Sequence, residues 1–263
     1  MYVMILVFRE KDEYLNDMKE FKPGKEEVEH IRVTLYGAEG SGKSSFINTI
    51  ESALRGRITG QALTDGIGQD SFTKKVKTEC GSYYPFVFTD LMGMEKQKGI
   101  TVKDIELVLK GHVEEGYKFD PETGISRDNK FYNSSPTINN KTHVLVFVVS
   151  ASTIDLLHED VITKMRSVRI AASDLGIPQL AILTKIDVAC TEVQSDLNNV
   201  YKSKMIKEKV DRLHALLGLS PNVIFPVKNY HTEIMPEEEI DKLALMALKQ
   251  ILNYGKDYVH SRI

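Results

Sequence analysis

Eight consecutive residues, Gly37-Ala38-Glu39-Gly40-Ser41-Gly42-Lys43-Ser44, carry the plainest chemistry in this chain. Their spacing is GxxxxGKS/T, the pattern of a loop that cradles phosphates. The glycines let the backbone curl so that successive N–H groups converge on phosphate oxygens, at the positive end of the following helix. Lys43 then reaches the β- and γ-phosphates as a catalytic charge, and the Ser44 hydroxyl ligates Mg²⁺. Glu39, Gly40, Ser41, Gly42, Lys43, Ser44 and Ser45 are accordingly the phosphate-side candidates.

A phosphate loop does not choose a base. Thr184-Lys185-Ile186-Asp187 matches the T/NKxD pattern that reads guanine. Asp187 can accept from both N1–H and the exocyclic amine of guanine, whereas adenine has no such paired donors on that edge. The Lys185 stem lies along the ring plane, and Thr184 braces the phosphate loop. Asn229, in Val227-Lys228-Asn229-Tyr230, falls where a further base-contacting loop belongs. Asp90-Leu91-Met92-Gly93 fits DxxG: Asp90 holds Mg²⁺ through a water, and the Gly93 N–H senses the γ-phosphate. The glycine-bearing loop 56–71 is the expected switch, ordering when Mg²⁺ and γ-phosphate are present. Its threonine, a ligand to Mg²⁺ and a catalytic contact, is Thr73 or Thr64, with Thr73 preferred.

These motifs need elements to hold them. From residue 31 onward, apolar strand-like runs alternate with helix-period stretches, which predicts a doubly wound α/β domain, and the motifs it carries make the expected type that of a P-loop GTPase. Its sheet should be mostly parallel, with helices on both faces. Strands are expected at 30–36, 71–80, 86–90, 143–150, 180–184 and 223–227. Helices are expected at about 42–54, 100–109, 156–175 and 206–217, and from Pro236 to about 258. The phosphate motif then follows the first strand and opens the first helix, the context that confirms it. Residues 1–29 read as a charged lead-in, and 30–263 as a G domain with a polar insertion at about 111–141. The insertion's Tyr117, Phe119, Phe131 and Tyr132 predict that part of it packs down.

The composition excludes several alternatives. Net charge is −3, with signs interspersed and no basic stripe for nucleic acid or an anionic membrane. The longest apolar runs, 2–8 and 144–149, fall far short of the roughly 20 residues that span a bilayer. Cys80 and Cys190 can build neither a disulfide framework nor a zinc site. His112, His143 and His158 are scattered and read as ordinary histidines.

With these segments in this order, the chain resembles the translation-factor-related GTPases and, more closely, the interferon-induced protein 44 and 44-like family. The resemblance is carried by IRVTLYGAEGSGKSSFINTI, the TGQAL-type stretch at 56–63, DLMGM, ILTKID and VKNY, and it covers nearly the whole chain. It implies a cytoplasmic, interferon-inducible protein that binds GTP and acts in antiviral or antiproliferative responses. It also implies a further N-terminal domain for which these residues hold no counterpart.

The residue after DxxG is Met94, which cannot orient an attacking water. Arg55 and Arg57, beside the switch, are weak candidates for a charge supplied in cis. The expected activity is therefore a Mg²⁺-dependent GTP/GDP switch with slow hydrolysis. A homodimer or protein partner, docking through the switch loops or the insertion, would speed it. Two other readings stand beside it: a nucleotide-bound interaction module without significant GTPase activity, and a P-loop kinase using ATP, which the TKID motif disfavours.

Overall fold

The computed structural model describes residues 9–60, 72–78, 81–91, 100–120 and 123–262. The expectations placed on Thr64, Cys80, Gly93 and Met94 lie outside them, as does most of the 56–71 loop. In chain order the helices and strands are α1 (Lys11–Glu20), β1 (Ile31–Tyr36), α2 (Lys43–Arg55), β2 (Phe72–Lys77), β3 (Tyr83–Asp90), α3 (Val102–Leu109) and β4 (Val144–Ser150). There follow α4 (Glu159–Asp174), β5 (Gln179–Thr184), α5 (Ile186–Ala189), α6 (Thr191–Ser195), α7 (Lys204–Leu217), β6 (Ile224–Pro226) and α8 (Glu238–Arg262).

One six-stranded sheet has the order β2-β3-β1-β4-β5-β6. The pairs β1 with β3, β1 with β4, β4 with β5 and β5 with β6 are parallel, and only the edge strand β2 runs antiparallel. The predicted doubly wound fold is the one observed. All of β4 is buried, as its unbroken apolar sequence VLVFVVS requires of a strand covered on both faces. Helices α1, α2 and α8 pack together on one face of the sheet, and α3, α4 and α7 on the other. Because the strands are parallel, the loops after β1, β3, β4, β5 and β6 emerge at one edge, where open α/β sheets bind ligands.

Two regions hold structure that the residue pattern did not spell out. The lead-in contains α1, whose Tyr14 and Met18, four residues apart, are buried against α8. The insertion is anchored as its aromatics predicted. Tyr117 and Phe119 are buried edge to face at 4.9 Å, and His112 stacks on Tyr132 at 5.3 Å. Val113 and Tyr132 form an antiparallel bridge, and Asp104 of α3 accepts the Ile125 N–H at 3.1 Å. Helix α8 begins at Glu238, two residues after the expected proline.

Candidate nucleotide site

The phosphate loop runs directly from β1 into α2. Gly42 caps the helix at φ 94°, a left-handed conformation, and a Cβ there would stand 3.0 Å from Asn229 Nδ2 and 3.5 Å from Thr184. A Cβ on Gly37 would meet the Val148 carbonyl oxygen at 2.1 Å, so β4 itself demands glycine at that position. Lys43 is almost fully buried, and its ammonium donates to the carbonyls of Gly37 (3.3 Å) and Ala38 (3.2 Å) across the loop.

Three other segments reach this loop. Thr184 Oγ1, at the end of β5, donates to Ser41 O at 2.6 Å and to Val149 O at 3.3 Å. Lys185 Nζ donates to Gly40 O at 2.9 Å. Its backbone has φ 54°, the one positive value at a non-glycine among the described residues. Strain of this kind collects at functional sites because the surroundings must hold it. Asn229 Nδ2, after β6, donates to Gly42 O at 3.1 Å. Thr184, Lys185 and Asn229 are thus brought onto the phosphate loop, and Asp187 opens α5 two residues beyond Lys185.

On the other side, Ser44 Oγ donates to Asp90 Oδ2 at 2.6 Å, with both residues buried. A hydroxyl beside a carboxylate is a pair of hard oxygen donors, the chemistry that Mg²⁺ selects. Two buried polar atoms of these loops, Ser41 Oγ and Asn229 Oδ1, have no hydrogen-bond partner among the described residues. A bound polar ligand would satisfy them. The residues present therefore fit both a nucleotide and its metal.

Thr73 is placed elsewhere. It pairs with Thr89 across β2 and β3, so its side chain shares the face of Thr89 and not that of the next residue, Asp90. Arg32 Nη1 contacts both hydroxyls, at 3.4 Å and 3.2 Å, on the wall of a cavity of about 320 Å³ also lined by Tyr117 and Phe119. This geometry does not bring Thr73 together with Ser44 and Asp90. Arg55 is likewise engaged, ion-paired at 2.7 Å with Glu51, which also binds Lys74 of β2 at 2.7 Å.

Sequence reasoning passed over Tyr230 as a site residue, together with Thr49 and Asp241. The Tyr230 N–H donates to Thr49 Oγ1 on α2 at 3.0 Å, and its hydroxyl donates to Asp241 at 2.7 Å. Burial first, and then that hydrogen bond, push the phenol well above its ordinary range. The signal was available for Asp241, an acid among the buried residues Ile240, Leu243 and Ala244 of α8.

No known family profile matches the chain. It is 30% identical over 250 residues to mouse (Mus musculus) interferon-induced protein 44, an alignment spanning 93% of this chain and 59% of that protein. It is 29% identical over 259 residues to human (Homo sapiens) interferon-induced protein 44-like, spanning 95% of this chain and 57% of the relative. The chain thus spans little more than half the length of the curated relatives it matches. Among solved structures, Toc33 from Arabidopsis thaliana in complex with GDP and Mg²⁺ aligns at TM-score 0.49 and 14% identity, covering 95% of this chain and 90% of that one. A structure titled as a probable GTP-binding protein, engB, aligns at TM-score 0.47 and 13% identity, covering 84% and 98%.

Proposed function

We propose that this chain, similar over nearly its whole length to the interferon-induced protein 44 proteins, is a guanine-nucleotide-binding domain that hydrolyses GTP slowly. One observation carries the reading. The TKID segment and the Asn229 loop are hydrogen-bonded to three consecutive residues of the phosphate loop, Gly40, Ser41 and Gly42. In this reading those bonds hold the base-reading and phosphate-binding loops in one geometry, which lowers the ordering cost of binding.

In this reading the backbone N–H groups of residues 39–45 hold the phosphates, and Lys43 balances their charge. Asp187 accepts from the guanine edge. Ser44 and Asp90 hold Mg²⁺, which supplies further positive charge at the β- and γ-phosphate oxygens. Met94 cannot orient water, so hydrolysis by the lone chain is slow. A second copy or a partner that supplied the missing group would quicken it, and turnover per molecule would then rise with protein concentration. The interaction-module reading is separated from this one by a single-turnover assay showing no phosphate release. The relatives' names carry interferon induction over to this chain, and a cytoplasmic, antiviral role is part of the same proposal.

The test is thermal stability with GTP, GDP and ATP. A ligand bound only to the native state stabilises it by about 2.7 kcal/mol at a hundredfold excess over Kd. GTP and GDP should raise Tm, ATP should not, and Lys43→Ala should abolish the GTP shift. Equal shifts with ATP and GTP would sink the guanine assignment.

A further inference from the structure

We infer that α1, outside the nucleotide loops, is part of the guanine-reading apparatus, acting through Lys11, Asp241 and Tyr230 as positioning residues. The inference rests on the guanine reading above and adds a means of regulating that site.

The connection is continuous. Lys11 Nζ of α1 forms an ion pair with Asp241 Oδ2 at 2.6 Å. Asp241, fully buried in the first turn of α8, accepts the Tyr230 hydroxyl at its other oxygen, Oδ1, at 2.7 Å. The same hydroxyl accepts the Glu237 N–H at 2.8 Å, closing the loop between β6 and α8 on itself. Tyr230 directly follows Asn229, whose amide holds the Gly42 carbonyl, and its own N–H is fixed by Thr49 on the phosphate-loop helix. The intervening loop is stiffened from within, since Glu233 accepts the N–H groups of His231 (2.8 Å) and Thr232 (3.1 Å) and pairs with Lys228 at 2.7 Å.

The energetics give Lys11 leverage. A fully buried carboxylate is costly unless a cation and hydrogen bonds compensate it, and removing one partner leaves the whole penalty behind. Lys11 is the cation that pairs with Asp241. With it gone, the carboxylate is better served by water, which competes with the Tyr230 hydroxyl for the same group. Tyr230 then loses its anchor and Asn229 its fixed approach to Gly42. Any event that withdraws Lys11 from Asp241 has the same consequence, so the residence time of the nucleotide reports whether that ion pair is made.

The experiment measures dissociation of fluorescently labelled GDP by stopped flow, with backbone hydrogen exchange of Tyr230 and Glu237 in the nucleotide-free protein. Lys11→Met and Tyr230→Phe should each speed GDP release about tenfold, the lower end of what losing one charge-assisted hydrogen bond costs. Together they should do little more than either alone, because both act through Asp241. Lys11→Arg should restore the wild-type rate. Asp17→Asn is the control. It breaks the ion pairs of Asp17 with Lys249 of α8 (2.5 Å) and with Arg9 (2.6 Å), neither of which touches Tyr230, and should leave GDP release unchanged. If exchange at Tyr230 and Glu237 rises in Lys11→Met while GDP release stays at the wild-type rate, the inference is overturned. Equal acceleration by Asp17→Asn would also overturn it, reducing α1 to general stabilisation. Wild-type protein that binds no GDP would sink the guanine reading itself, a result distinct from the other two.

Discussion

Thr184→Val tests the bracing of the phosphate loop most directly. Valine nearly matches threonine in shape but replaces the hydroxyl with a methyl group. The side chain is fully buried, and its hydroxyl makes the 2.6 Å bond to Ser41 O as well as the longer one to Val149 O. The substitution leaves the Ser41 carbonyl short of a donor at a site from which water is excluded. Such a loss costs about 1–3 kcal/mol, partly offset by the added apolar burial, so a net of about 1.5 kcal/mol is expected. At roughly 2–4 °C per kcal/mol for a chain of this size, Tm should fall by about 3–6 °C without ligand. The second consequence concerns affinity. If the bond preorganises Gly40, Ser41 and Gly42 for phosphate, the nucleotide must supply that ordering itself, and Kd for GDP should rise about tenfold. Differential scanning calorimetry and isothermal titration on the same samples separate the two effects. A Tm loss with GDP affinity within twofold of wild type would refute the preorganisation argument, leaving Thr184 a structural brace only.

Two further outcomes are expected. Asp187→Asn replaces a double acceptor with an oxygen and an amide donor, so GTP affinity should collapse while XTP, whose base carries a carbonyl at that place, gains; competition between the two nucleotides measures it, and retained GTP affinity would place base reading elsewhere. Acid should destabilise the fold between about pH 6.5 and 4. Burial, then the charges of His30 and Arg32, hold His143 down to about 4 despite its bond to Ile138 O, and burial, Arg32 and Lys75 hold His30 down to about 4. Both folded values lie below the unfolded one, so the unfolded chain binds protons first and stability is lost as pH falls through that window. For fully buried His143, whose Nδ1 accepts the Arg32 N–H, the loss is on the order of 3 kcal/mol. Urea denaturation at pH 7, 6 and 5 should show this slope, flattened in His143→Gln. A stability independent of pH there would contradict it.

The phosphate loop was legible because its requirement is local: glycines, a lysine and a serine at fixed spacing between a strand and a helix. Thr184, Lys185 and Asn229 were legible only through the order of strands, since each motif alone is a common tetrapeptide. The placement of Thr73 was not legible, for a related reason. Its type and rough position suit a switch residue, but a strand's side chains alternate, and the register of β2 on β3 turns it toward Arg32. A one-residue difference in register would have reversed that, and spacing carries no information about it. Helix α1 was hidden by composition. Its sequence KDEYLNDMKE has a short apolar stripe inside a charged run, and what buries it is α8, more than two hundred residues away. Glu51 and Asp241 could have been found, since each is an acid on the buried arc of an amphipathic helix and so needs a cation.

The orientation of Thr73 is fixed from outside its own strand. The loop and strand from residue 56 to residue 73 contain Thr59, Thr64 and Thr73. Thr73 is turned to the face away from Asp90. Thr59 is committed to the phosphate-loop helix, its N–H donating to Ser52 Oγ at 2.9 Å and its hydroxyl lying 3.2 Å from the same atom. Strand β2 cannot easily slide to change this. Lys74 is held at 2.7 Å by Glu51, whose carboxylate is almost fully buried in α2 and is shared with Arg55. Moving β2 by one residue would strand that carboxylate without one of its two cations, a loss of several kcal/mol. The ion pair that fixes the edge strand to the phosphate-loop helix therefore also fixes the orientation of Thr73.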